Sequence, residues 1–521
     1  MIDELRTNVA TARHDSIGAA LRRSALRARD TIALRFGPRA WTYTALDRGA
    51  NRVARRLLAA GLEPGQRLAA FGRNSDAYLL AWLGCVRAGV IHVPVNFALK
   101  PDELGYIVRQ SGAAAVVCDP ALAGTVDAST DARAVAIHGR FHGGGDAMLD
   151  VLSAAQDERI DDSPVDLSND EGIAQILYTS GTTADPKGAV MTHAAFLAHY
   201  ESCIVSADQS AADRTLDALP LYHSAQMHCF IMPHLLLGAS AVLIDAPDPA
   251  LCLRLIEEHR ITAFFAPPTV WISLLRHDDF DRRDLTSLER IYYGASIMPV
   301  PVLEELRRRL PSAKPYNAYG QSEIGPLATI LRPEEHDARP ASAGRPVLNV
   351  ETRVVDEQMN DVPPGVPGEI VHRSPQLLLR YWDKPEETEA AFAGGWFHSG
   401  DVALRDEQGY IFVTDRVKDI INTGGIVVSS REVEEALFTH PSVYEVAVIA
   451  LPDPKWIEAV TAVVVLRPGA DANEEMLIEH ARAALAPYKV PKRVIFTETL
   501  PRNTAGKLLK RELRATYAAT P

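Results

Sequence analysis

Several things are scarce or missing in this chain, and each absence removes a class of function. Five cysteines, Cys85, Cys118, Cys203, Cys229 and Cys252, are spread over 521 residues, and no two stand at CxxC spacing. That number is odd, and the thiols sit in apolar or mixed strings such as AWLGCVRAG. The pattern fits reduced core thiols better than a disulfide framework or a zinc site. No long basic tract is present, and 67 Asp+Glu outweigh 54 Lys+Arg for a formal charge of −13. A nucleic-acid binder needs a positive face for phosphates, so that class is disfavoured. No apolar run approaches a membrane span, the longest being LLLGASAVLI from Leu235 and AVTAVVVL from Ala459. The first thirty residues hold no apolar core of a secretory signal. A cytoplasmic protein with no transmembrane segment is the expectation. The nucleophile elbow GxSxG, the Walker A loop and a strand-to-helix GxGxxG are also missing.

What is present is an alternation of β-branched runs and amphipathic helical patterns, the mark of α/β architecture. A helix is predicted through WTYTALDRGANRVARRLLAAGL, with Leu46, Val53, Leu57 and Leu58 on its apolar side, and QRLAAF follows as a strand. AYLLAWLGCVRAG then IHVPVN, ELGYIVRQSG then AAVVCD, and LRLIEEHR then ITAFFA repeat the unit. After about residue 416 the pattern restarts as a small α+β unit of about a hundred residues. The expected division is therefore 1–415 and 416–521.

The sharpest local signal is ILYTSGTTADPKGAVMTH, residues 176–193. A β-run leads into four small hydroxyl residues, a glycine and one lysine before an apolar helix start. Donors clustered around a flexible turn are what a triphosphate requires. An ordinary polar surface turn would rarely concentrate them so.

Here the chain resembles the adenylate-forming superfamily of acyl-CoA synthetases, nonribosomal adenylation domains and luciferases. Four further strings carry the resemblance in order: YGQSE at 319–323, GWFHSGD at 395–401, DRVKDIINTGG at 415–425 and PRNTAGKLLKREL at 501–513. Within the acyl-CoA synthetase branch it looks most like fatty-acyl-CoA synthetases. The resemblance implies a large multi-subdomain α/β N-terminal domain followed by a small mobile α+β C-terminal domain. It implies ATP, Mg²⁺ and coenzyme A as cofactors and cosubstrates, and a small carboxylic acid as substrate. A homodimer is compatible with it.

Residue by residue, the resemblance implies that Thr179, Ser180, Gly181, Thr182, Thr183 and Lys187 hold the β- and γ-phosphates of ATP. Glu323 would be the Mg²⁺ ligand, a carboxylate suited to a hard cation, and Ser322 would meet the α-phosphate. Tyr319 would pack against adenine, flanked by Asn317, Ala318 and Gly320. The Gly294, Ala295 and Ser296 turn would line the base and acyl pocket. Asp401 and Arg416 would bind the ribose, and Lys507 would bridge the substrate carboxylate and the α-phosphate. Lys418 would be the hinge, and Gly424 and Gly425 the wall of the CoA tunnel. Tyr222, His223 and Met227 would line the acyl pocket together with Gly294, with His223 also a catalytic candidate. Alone, Glu323 or Asp401 would read as a solvated carboxylate, Tyr319 and His223 as core residues, and Lys507 as one exposed cation among several. Five motifs in order overturn those readings except for His223, where a packed core histidine and a role near the acyl and CoA entry stand level. Ala184 stands where the family has Gly or Ser, and Ile426 and Val427 where related synthetases carry Glu-Asn.

The implied reaction is attack of a carboxylate on the α-phosphorus of ATP, followed by displacement of AMP by the CoA thiol. An amino-acid substrate is disfavoured because no Asp or Glu occurs between Ala218 and Met232 to meet an ammonium. A carrier protein as acceptor, an aryl or cyclic acid, and a non-catalytic nucleotide binder are the alternatives. The last would be expected to lack Lys187, Glu323 or Lys507.

Overall fold

A computed structural model describes residues 15–144, 149–179, 186–296, 298–416, 419–423, 426–454, 456–502 and 508–518. The alternating pattern folds into two mostly parallel sheets with helices packed between and around them. In the nine-stranded sheet, Arg214–Asp217, Ser240–Leu243, Ala263–Phe265, Arg290–Gly294 and Lys314–Gly320 run parallel. The eight-stranded sheet holds the parallel strands Arg67–Phe71, Ile91–Val95, Ala113–Cys118 and Ile137–Arg140. It also carries the hairpin of Ile173–Thr179 and Lys187–Thr192.

Between them lies the helix Asp76–Ala88, whose every residue is buried. Apart from Asp76 and Arg87 at its ends the helix is apolar all round, so it has no face for water and must be enclosed. Here one contiguous cluster joins its Leu79, Leu80, Trp82 and Leu83 to Leu34 and Leu243 of one sheet and to Leu177 and Ala189 of the other. Each such side chain contributes about 1.5–3 kcal/mol through burial. Asp76 at the start of this helix is fully buried, but both carboxylate oxygens are taken by Arg39, at 2.6 and 2.8 Å, and one also by Trp41 Nε1 at 2.9 Å. Its charge is thus paired and sits where the helix dipole favours an anion.

A third, antiparallel sheet of Glu351–Val355, Gly368–Arg373, Phe397–Arg405 and Ile411–Arg416 follows. The last sheet is built from Ile421–Thr423, Ile426–Val428, Val443–Asp453, Ile457–Leu466 and Arg493–Phe496, with the helices Ser430–Phe438 and Glu474–Ala484 against it. Two apolar clusters, one around Val448 and Leu477 and one around Ile449 and Leu513, are drawn wholly from residues after 416. A large N-terminal α/β portion followed by a small α+β portion is therefore the architecture. All five cysteines are buried and unbridged. Among the described residues, no helix is long and apolar enough to cross a membrane. Of the helix read through WTYTALDRGANRVARRLLAAGL, Trp41 and Thr42 instead end the strand Arg39–Thr42, and Thr42 caps the helix Tyr43–Ala59 by accepting from the backbone N–H of Ala45.

Candidate active site

The hydroxyl-rich motif closes a hairpin: Thr179 at the end of one strand pairs with Lys187 at the start of the next. Of the residues expected to hold phosphates, Thr179 and Lys187 are described, while Ser180, Gly181, Thr182 and Thr183 lie outside the described residues. Thr179 Oγ1 donates to Glu323 Oε1 at 3.3 Å, bringing two motifs 144 residues apart into one place. Glu323 sits in a short turn, Ser322–Ile324, that follows the strand Lys314–Gly320.

Tyr381 was not among the expected site residues, yet it completes this group. Its hydroxyl donates to Glu323 Oε1 at 3.1 Å, and its ring lies under Lys187 Nζ, 5.2 Å from the centroid. Burial and the neighbouring Glu323 charge both hold the phenol well above its ordinary pKa, so it remains a donor. A two-residue strand, Arg380–Tyr381, pairs antiparallel with Ala189 and Val190 and delivers the ring. The N–H of Leu378 donates to the carbonyl of Glu323 itself at 2.7 Å. Nothing local in LLLRYWDK distinguishes this tyrosine from a packed aromatic; only the long-range pairing does.

A second group forms around the ends of the parallel strands. Gly294 ends one strand in register with Ala318 of its neighbour, and a Cβ at Gly294 would fall 2.3 Å from the Ala318 carbonyl oxygen. Only glycine permits that approach. Ala295, just beyond, takes φ +61°, and Ser296 follows it. Asn317 is held by donation from its side-chain nitrogen to the Ser342 carbonyl at 2.8 Å. Tyr319 donates its hydroxyl to Asp401 Oδ2 at 2.7 Å, and Asp401 is 5% exposed. Gly320 lies between Tyr319 and the Ser322 turn. The Arg416 backbone stands directly across from Asp401 in the antiparallel pair of strands, so the two residues expected at a ribose share one register position.

Ser322 meets Ser224 with the hydroxyls 2.8 Å apart, which ties the Glu323 turn to the segment after His223. Tyr222 is buried and its ring lies 4.4 Å from that of His223, while Phe97 meets Tyr222 edge-on at 5.7 Å. Met227 is fully buried and belongs to the main core. Lys418, Gly424, Gly425 and Lys507 lie outside the described residues.

The donor set fits its expected ligands chemically. Glu323 is a carboxylate held by two hydroxyl donors beside one lysine, which suits a hard divalent cation accompanied by phosphate oxygens. Asp401 is an acceptor oriented by Tyr319, which suits vicinal hydroxyls.

Comparison with known proteins identifies the family. Residues 21–382 match the AMP-binding enzyme family, and residues 432–507 match the AMP-binding enzyme C-terminal domain. A feruloyl-CoA synthase of Amycolatopsis sp is 36% identical over 97% of this chain and 100% of that protein. A medium/long-chain-fatty-acid–CoA ligase of Mycobacterium tuberculosis is 40% identical over 68% of this chain and 62% of that one. The crystal structure of ATP-bound MatB from Rhodopseudomonas palustris superposes with a TM-score of 0.89 at 30% identity, over 97% of this chain and 99% of that one. By sequence, fold and the order of its motifs, the chain belongs to the AMP-binding enzyme family, within the adenylate-forming superfamily.

Proposed function

We propose that this protein is an ATP-dependent, AMP-forming acid–CoA ligase acting on an apolar monocarboxylic acid, a fatty acid in the first place. The observation that carries the reading is the convergence of Thr179 and Tyr381 on Glu323, with Lys187 over the face of the same Tyr381 ring. Mg²⁺ held by Glu323 would supply charge neutralisation for the triphosphate.

The chain's own residues do the positioning. Lys187, resting on the Tyr381 ring, presents a cation to the outer phosphates. Tyr319 and Asp401, locked to one another, fix the nucleoside end. Ser322, tied to Ser224, couples the α-phosphate side of the site to the acyl side. No protein nucleophile is required, because the acid's own carboxylate attacks phosphorus and pyrophosphate leaves. Preorganised donors around the developing charge account for most of the acceleration expected of such a site. Lys507 takes the position between carboxylate and α-phosphate in that first step. The division at 415/416, with Lys418 as pivot, then lets the portion after it turn. Gly424 and Gly425 replace Lys507 beside the CoA thiol.

An aryl acid is the second reading. The cluster of Tyr222, His223 and Phe97, with rings tilted or edge-on to one another, favours it as an aromatic lining. A full-length relative is named for an aryl acid. The experiment is AMP and pyrophosphate release from Mg-ATP with a panel of fatty acids of increasing length and a set of cinnamic and benzoic acids, each with and without CoA. Formation of ADP and phosphate would overturn the ligase reading. A preference for the aryl set of tenfold or more in kcat/KM would replace the fatty acid by the aryl acid.

A further inference from the structure

Behind the Glu323 turn, three side chains that the proposed chemistry does not use bring two sulfurs and one imidazole nitrogen together from two elements. His199 and Cys203 stand four residues apart on the helix His193–Ser206, which puts both on one face. Cys229 comes from the facing segment Ala225–Ile231. His199 Nε2 is 3.3 Å from Cys203 Sγ and 3.7 Å from Cys229 Sγ, and the three ligand atoms lie within 4.8 Å of one another. His199 and Cys203 are 0% exposed and Cys229 is 5% exposed.

We propose that His199, Cys203 and Cys229 form a binding site for a soft cation of the copper(I) class, held by two sulfurs and one imidazole nitrogen. Metal–sulfur and metal–nitrogen bonds of about 2.3 and 2.0 Å put the two ligand atoms roughly 3.6–3.8 Å apart around one ion. The observed separations are near that already, so an ion enters with small side-chain shifts. Thiolate ligands select soft metals over hard ones. Zinc asks for a fourth ligand, and among the described residues the group offers three, in a place from which water is excluded. Copper(I) is satisfied by three. Its binding releases the two thiol protons to solvent, which makes uptake stronger as pH rises.

The site is also coupled to the reaction centre. Gly325, two residues after Glu323, packs directly on the imidazole, where a Cβ would lie 2.8 Å from the His199 ring. The His199 Nδ1 side faces the Gln376 amide at 3.4 Å, and that amide donates to the carbonyls of Ile324 and Leu327 at 2.8 and 2.6 Å. An ion on His199 therefore stiffens the support of the Glu323 turn.

The test is anaerobic titration of the full-length protein with copper(I) against the chromophoric chelator bicinchoninate. X-ray absorption of the copper adduct accompanies it. One equivalent retained by the wild type and by Cys252→Ala, but less than a tenth of that by Cys203→Ala/Cys229→Ala, is expected. No retention by the wild type, or equal retention by the double variant, overturns the proposal. Should the double variant fail to fold, the wild-type absorption spectrum decides. Two sulfurs and one nitrogen at copper support the site, and any other shell overturns it. Tight zinc uptake with a four-coordinate shell and no copper preference overturns the copper(I) assignment.

Discussion

The Tyr381 hydroxyl donates to Glu323 Oε1 at 3.1 Å while the face of the same ring carries Lys187 Nζ at 5.2 Å. One side chain thus sets the spacing between the carboxylate that suits a divalent cation and the lysine that suits phosphates. Burial and the adjacent Glu323 carboxylate keep the Tyr381 phenol protonated between the two.

Tyr381→Phe removes the donor and keeps the platform. A hydrogen bond to a charged group is worth about 1.5–3 kcal/mol, so kcat/KM for Mg-ATP should fall about tenfold or more. Tyr381→Leu also removes the ring beneath Lys187, worth about 0.5–1 kcal/mol at a partly open site, and should fall further. Pyrophosphate release at varied Mg-ATP measures both. Equal activity of Tyr381→Phe and wild type would make the contact incidental.

This residue also marks the limit of what the sequence makes legible. The strand–helix alternation, the restart after residue 416 and the five motifs are local patterns, and local periodicity reports them. The pairs Thr179–Glu323 and Tyr319–Asp401 were expected to serve one nucleotide, and the fold brings them together. Tyr381 was missed because its role arises from pairing a two-residue strand with Ala189 and Val190, some 190 residues earlier. Cys203 and Cys229 read as core thiols, and His199 carries no signal of its own, for the same reason. The i, i+4 pair is visible in the string, but Cys229 joins it only through packing of the segment after His223. Burial of all five cysteines agrees with that reading as far as it went.

Asp401→Ala should weaken AMP and ATP binding tenfold or more, because the acceptor proposed for the ribose hydroxyls is lost. Tyr319→Phe isolates the orienting bond: it keeps the ring and the carboxylate but breaks their 2.7 Å contact. A smaller loss, several-fold, is expected there. Calorimetric titration with AMP measures both, and unchanged affinity in folded Asp401→Ala would refute the ribose role.

Asp217 predicts a pH dependence of stability. It is buried on the strand Arg214–Asp217, accepts from Thr215 Oγ1 at 2.8 Å and from Gln226 Nε2 at 2.5 Å, and burial pushes its carboxyl up from 3.8 to about 6. A raised folded pKa means that the protonated form stabilises the fold. That contribution is full below about 3.8 and is lost as pH climbs through 6. The difference is worth roughly 3 kcal/mol at most. Asp217→Asn mimics the neutral form at every pH. Its melting temperature relative to wild type should therefore rise between pH 4 and 6 and level off above. A pH-independent difference between the two proteins would rule this origin out.

The last prediction concerns the two half-reactions and the turning of the portion after residue 416. The residues on either side of the Lys507 segment are tied to that portion, Arg502 on one side by its pair with Glu445 at 2.9 Å. Arg502 and Leu508 form an antiparallel bridge, Lys510 donates to Ser430 at 2.6 Å and pairs with Glu434 at 2.8 Å, and Arg514 pairs with Asp419. Under the proposed function Lys507 would therefore turn together with the strands Ile421–Thr423 and Ile426–Val428, which is the condition for exchanging Lys507 for Gly425. Lys507→Ala should cut adenylate formation by about 10²–10³, the usual loss when one preorganised charge-stabilising donor is removed. Supplied with synthetic acyl-adenylate and CoA, the same variant should make thioester at a near-normal rate. A bulky residue at Gly425 should reverse the pattern, sparing pyrophosphate release and blocking thioester formation. The two assays are run in parallel on each variant. Equal impairment of both half-reactions by Lys507→Ala would favour a single fixed site over alternation, since a residue that had moved away could not slow the second step.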